Sequence, residues 1–149
     1  MERRIFGKAF VTDMDEIYSM SKLLPKRSKI ATPLYVDDTG SYRTSKHWKR
    51  VKFKQNDDVK YADDWAPMNF DGKIMKDENS LDIRLSSKEI EEIKNFVRNN
   101  KCVLEALCER DEIDFDDFLS AMIPGGEPAT QEQIDEQKRK VDELLKGEE

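Results

Sequence analysis

Histidine occurs once in this 149-residue chain and cysteine twice. A metal centre needs several nitrogen or sulfur donors converging on one point, and a serine-type relay needs a histidine beside its nucleophile. The lone His47 therefore reads as a structural or surface strand residue. Cys102 and Cys108 lie within one segment that reads as helix, and six residues turn a helix by about 600°, which sends the two thiols to different faces. They cannot pair there, and unpaired thiols fit a reducing compartment. Long apolar runs are also missing: none approaches the ~20 residues of a membrane span, and Met1-Glu2-Arg3-Arg4 opens without the apolar region of a secretion signal. The chain reads as cytoplasmic, without a membrane partner. Phosphate-binding glycine loops, His-Glu-x-x-His and Gly-x-Ser-x-Gly are absent, and no carboxylate pair is singled out by spacing. The expectation is a non-enzyme with no catalytic residues, no metal and no cofactor.

Charge is what the chain has in excess. Charged residues make up 39% of it, against roughly 25% in an ordinary domain, and 37% hydrophobic residues leave a lean core. The charge is also polarised. Residues 1–60 carry 14 Lys and Arg against 8 Asp and Glu, and residues 61–149 carry 12 against 24. That gives +6 in the first part and −12 in the second. Two halves that attract each other within one fold account for this, and so does a nucleic-acid face with an acidic tail.

The pattern along the chain predicts strands first and helices later. Residues 4–12 read as a strand, and 14–24 as a short helix ended by Pro25. Lys26-Arg27-Ser28-Lys29 reads as a basic loop. Residues 30–36 are β-prone, and Pro33, which cannot donate to a ladder, makes them an edge strand or a broken one. Residues 47–54 alternate, with Val51 and Phe53 on one side and Trp48, Arg50, Lys52 and Lys54 on the other. The turn signal Asp37-Asp38-Thr39-Gly40 lets 30–36 and 47–54 form a hairpin with a long connection. Two short strands are expected near 66–70 and 81–85.

From Ser86 the helical signals sharpen. Ser86-x-x-Glu89 is a capping box, opening a helix to about residue 109 with Asn99-Asn100 as a soft spot. Asp114 caps a helix over 115–123. Residues 124–129, rich in Pro and Gly, read as a linker. Thr130-x-x-Gln133 is a second capping box, opening an amphipathic helix over 130–147. Strands followed by helices define an α+β fold: a small, mostly antiparallel sheet from the N-terminal half, packed by two or three C-terminal helices. Residues 1–123 form that single domain, and the final helix is tethered to it by the linker.

The acid-rich stretch 109–119 imitates part of a calcium loop, with Ile113 at its hydrophobic eighth position. That register puts Ala106, Cys108 and Arg110 where calcium needs oxygen ligands. Calcium is excluded, and the acids read as the first turn of a helix, where they suit its dipole.

Two surfaces are candidates for binding. The final helix carries Ile134, Val141, Leu144 and Leu145 on a narrow stripe that must dock on its own domain, on a second copy of itself or on another protein. The segment 39–56 holds no acid but carries Arg43, Lys46, Lys49, Arg50, Lys52 and Lys54, with Tyr42, Trp48 and Phe53 interleaved. Cations for phosphate beside a flat ring for stacking suit single-stranded nucleic acid. The same lysines could instead guard a sheet edge against aggregation.

The order of Leu34-Tyr35-Val36-Asp37, Gly40-Ser41-Tyr42-Arg43, Lys46-His47-Trp48-Lys49-Arg50-Val51-Lys52-Phe53, the helix Ile90 to Leu107 with Phe96-Val97-Arg98-Asn99-Asn100-Lys101, and Ile113-Asp114-Phe115 to Phe118-Leu119 resembles a class of short, uncharacterised accessory proteins of phages and bacterial mobile elements. The resemblance covers about residues 30–123. It implies a small sheet with helices packed on it and an accessory role in a phage or mobile element. That role fits an inhibitor or regulator, or a small virion component, that binds another protein. It brings no catalytic residues.

Overall fold

The computed structural model describes residues 5–9, 20–37, 49–54, 65–75, 81–110 and 112–146. The strands are β1 (Ile5–Ala9), β2 (Ser21–Leu23), β3 (Leu34–Val36), β4 (Arg50–Lys54), β5 (Trp65–Asn69) and β6 (Leu81–Arg84). The helices are α1 (Pro25–Ser28), α2 (Ser87–Asn99), α3 (Lys101–Glu109), α4 (Phe115–Ala121) and α5 (Gln131–Lys146). Strands β2-β3-β4-β5 form a four-stranded antiparallel sheet in that order, and β1 pairs with β6 in a two-stranded one. The fold is α+β, as the segregation of strands and helices predicts.

The register explains the core. Leu23, Leu34, Phe53 and Ala66 are cross-strand neighbours, as are Val36, Val51 and Met68. Both rows lie on one face, and none of these seven side chains is more than 1% exposed. Onto them pack Ile90, Ile93, Phe96 and Val97 of α2, Val103, Leu104 and Leu107 of α3, and Phe118 of α4, in one contiguous cluster. Burying each such aliphatic or aromatic side chain stabilises the fold by roughly 1.5–3 kcal/mol.

Three local features differ from the sequence pattern. Residues 21–23 close a sheet edge as β2 instead of ending a helix; Ser21 pairs with Val36 and Leu23 with Leu34, and the buried Leu23 secures them. Cross-strand packing there overrides helical spacing. Residues 14–19 of the expected helix lie outside the described residues. Pro25 starts a helix instead of stopping one, since the first turn needs no amide donor, so Pro25–Ser28 form the helical turn α1, where a basic loop was expected, and Lys29 closes it at φ 63°. Strand β3 is interior, between β2 and β4. Pro33 lies just before it, with its carbonyl accepting from Lys54 N at 3.2 Å.

The helical signals hold. Ser86 and Glu89 form the reciprocal cap of α2, and Asp114 and Asp117 that of α4. The long helix kinks at Asn100, where φ is −108° and ψ 16°. Its carboxamide donates back to Phe96 O at 2.8 Å, a bond that competes with regular helix. The β5 turn is stitched to this junction. Asp71 O accepts from Arg98 Nε at 3.0 Å and the Asp71 carboxylate pairs with Lys101 at 2.7 Å. Gly72, at φ 84°, leaves room for the arginine, since a Cβ there would come within 2.7 Å of Arg98 Nε.

Candidate functional site

Of the expected nucleic-acid residues, Arg43, Lys46 and Trp48 lie outside the described residues, as does His47. Arg50 and Lys52 are fully buried, at 0% exposure, so the solvent-facing position expected for them is not what the fold gives. Both sheet faces are covered along β4, with only Lys54 half-buried at its end. One step beyond the β3–β4 ladder, Asp37 stands opposite Arg50, and its carboxylate meets the guanidinium at 3.2 Å with both side chains wholly buried. Met20 Sδ lies 3.7 Å from the same guanidinium. Cys108 Sγ reaches Asp37 O at 3.7 Å, and burial, with Asp37 nearby, pushes this thiol up to about 12. Lys49 is half-exposed and is engaged by Glu109 and Glu105 of α3. Its hydrogen bond to Glu109 holds its ammonium above the usual lysine range.

The final helix is docked on its own chain. Val141 enters the core, 4% exposed, and Leu144 and Leu145 pack against it, while Ile134 is half-buried. The apolar stripe expected to face a partner is thus largely occupied internally, against α3 and α4.

The residues between α4 and α5, expected to be a linker, are clamped by asparagines. Asn95 Nδ2 donates to Gly126 O at 2.9 Å, and Asn99 bonds both Glu127 O, at 2.7 Å, and Ala129 N, at 2.9 Å. Asn100 satisfies its whole carboxamide. Besides Phe96 O, its Nδ2 reaches Ile123 O at 2.9 Å, and its Oδ1 accepts from Ile123 N at 2.6 Å and from Gln137 Nε2 at 2.7 Å. Gln137, 2% exposed, also donates to Ala121 O at 3.3 Å and accepts from Val103 N at 3.3 Å. It supplies an acceptor to the first turn of α3, just past the kink.

A cleft of about 380 Å³ opens between this junction and α5. Met122, Ile123 and Pro124 give it an apolar side, and Glu132, Glu136 and Lys140 line the helix side. Glu136 is held below the usual carboxylate range by its hydrogen bond to Arg139. The cleft therefore offers hydrocarbon beside two carboxylates, one of them paired with Arg139, and the ammonium of Lys140. Among the described residues no group of three or more His, Cys, Asp and Glu side chains is arranged to hold a metal. No helix among them is long and apolar enough to cross a membrane.

Comparison with known proteins finds no family model, no curated protein and no solved structure that matches this chain.

Sequence reasoning missed Asn100 and Gln137, the two residues that fix α5 in place. A signal existed for the second. Ile134, Gln137, Val141 and Leu144 follow the 3-4-3 spacing of a packed seam, and a polar residue at such a position specifies register. Asn100 was visible only as a weak helical position.

Proposed function

We propose that the protein is a non-enzymatic accessory protein that acts by binding another protein, and that it presents its acidic C-terminal region to basic residues of that partner. One observation carries this reading: the excess of acids in the last part of the chain. Glu132, Asp135, Glu136, Asp142 and Glu143 stand exposed on α5, interspersed with Lys138, Arg139 and Lys146, and the residues before α5 add more acids than bases. From residue 109 onward the chain has fourteen Asp and Glu against five Lys and Arg. Such a field steers a cationic partner toward this face. The cleft offers it a seat, with Met122 and Pro124 beside the aliphatic stem of a lysine or arginine and Glu132 beside its head, next to Glu136, which Arg139 already engages, and to Lys140. An inhibitor or regulator of a phage or mobile element is a role that fits.

The test is titration of the full chain with a capped oligolysine peptide, followed by amide chemical shifts. Shifts centred on residues 121–124 and 130–140 that fade as salt rises are expected. No binding at low salt overturns the reading. Tight, steeply salt-dependent binding of single-stranded oligonucleotides would support the basic strand instead.

A further inference from the structure

We propose that residues 124–146 form a hinged arm, latched by the Asn100–Gln137 amide pair, and that opening of this arm takes apart the cleft and so regulates it as a binding site. The regulatory part rests on the reading that the cleft takes a basic partner.

The arm adheres weakly for its size. Only Gln137 and Val141 of the sixteen residues of α5 are buried. Val141, with Leu144 and Leu145 against the core, holds its far half, while the strap 124–130 is held by Asn95 and Asn99 and the near half of the helix by Asn100 and Gln137. When such an arm lifts, each freed amide is taken up by water, so the net stake in each bond is small. The bonds are nonetheless directional and admit one register. High specificity with modest adhesion is what a reversible strap requires, and segments of this kind open below the global unfolding threshold.

The base of the arm is built for close approach and for turning. Gly125 has φ 100°, and a Cβ at Gly126 would come within 2.7 Å of Glu92 Cβ. Gly125 N is anchored to Ser28 O at 2.7 Å, which fixes the pivot to α1, between β2 and β3.

The latch and the cleft are the same piece of structure. Gln137 bonds Ala121 O, and Asn100, its partner, holds both the amide and the carbonyl of Ile123. One wall of the cleft is the first turns of α5 and the other is residues 121–124. Closing the latch sets the walls at their spacing, and opening it separates them. A ligand that spans both walls binds the closed arm alone and must stabilise it.

Hydrogen exchange on the full chain tests this, with wild type, Gln137→Met and a Glu143→Gln control on the exposed face. In the wild type the α5 amides should exchange through one shared opening, about a hundredfold faster than the slowest amides of β3 and β4. Q137M keeps the side-chain volume and charge but loses the latch, and should speed α5 exchange about tenfold more without changing β3 and β4. E143Q should change neither. Saturating oligolysine should slow α5 exchange in the wild type. Amides of α5 as slow as those of β4, or a Q137M effect spread equally over all elements, overturn the hinged arm. A peptide that binds yet leaves α5 exchange unchanged overturns regulation while the binding reading stands. A peptide that does not bind at low salt overturns the binding reading, and regulation with it, and leaves the arm itself judged by exchange alone.

Discussion

Arg50 in β4 and Arg139 in α5 each lie beside a carboxylate, Asp37 at 3.2 Å and Glu136 at 2.5 Å, yet the first pair is wholly buried and the second keeps about half of its side-chain surface in water. The chemistry is the same and the consequences differ. At the sheet both ions are out of water, and removing one leaves the other buried without that counter-charge. On the arm, water and salt screen the attraction, and Arg139 divides itself between Glu136 and Glu143. The same contrast extends to the neutral groups. The sheet is held by side chains that avoid water, and the strap and first turns of the arm by amides for which water is a ready substitute. One region is built to stay closed, and the other to close in one way and reopen.

The sharpest way to break this comparison is Asp37→Ala. It removes the buried counter-charge of the guanidinium and should lower stability by about 3–5 kcal/mol, measured by chemical denaturation. Replacing both partners, D37L with R50M, should recover most of the loss. If the single variant costs no more than an exposed pair does, the buried pair does not hold the sheet as described.

Thiol labelling reads the same region. With Cys108 near 12 against an ordinary value of 9.0, its thiolate fraction at neutral pH is about a thousandfold below that of a free thiol. The half-buried Cys102, raised less, should react first. The sign follows from the raised folded value. Cys108 contributes full stability below the unfolded thiol value and loses it as pH rises from about 9 through about 12. Equal labelling rates for the two thiols in the folded protein would contradict the burial of Cys108.

On the arm the expected effects diminish in order. Asn100→Ala leaves Ile123 N and Ile123 O without their partner and should cost about 2–3 kcal/mol, read by denaturation and by exchange in α5. Val141→Ala removes the one apolar residue that α5 fully buries and should cost about 1–2 kcal/mol. Arg139→Ala should leave the unfolding midpoint unchanged. A measurable loss there would mean that the exposed network holds the arm.

The caps were fully legible. Ser86 with Glu89, Asp114 with Asp117 and Thr130 with Gln133 act within one helical turn, so neighbouring residues decide them. The antiparallel pairing of β3 with β4 was legible from alternation; the turn expected between them lies outside the described residues. The alternation misled at Arg50 and Lys52, because period two says which residues share a face but not whether that face is covered. The candidate site was barely legible. Its cleft joins residues 121–124 to residues 130–140 through Asn100, and amides say little about burial until their partners are in place.

The sequence by itself determined the α+β order, the helix starts and the apolar face of the sheet, since each follows from propensity, capping and period over a few residues. Only the tertiary structure decided that β3 lies inside the sheet, that two of its cations are buried, and that the last helix rests on its own chain. Those outcomes depend on which distant segments cover a surface and which polar atoms find partners there: Asp37 for Arg50, and Asn100 for Gln137.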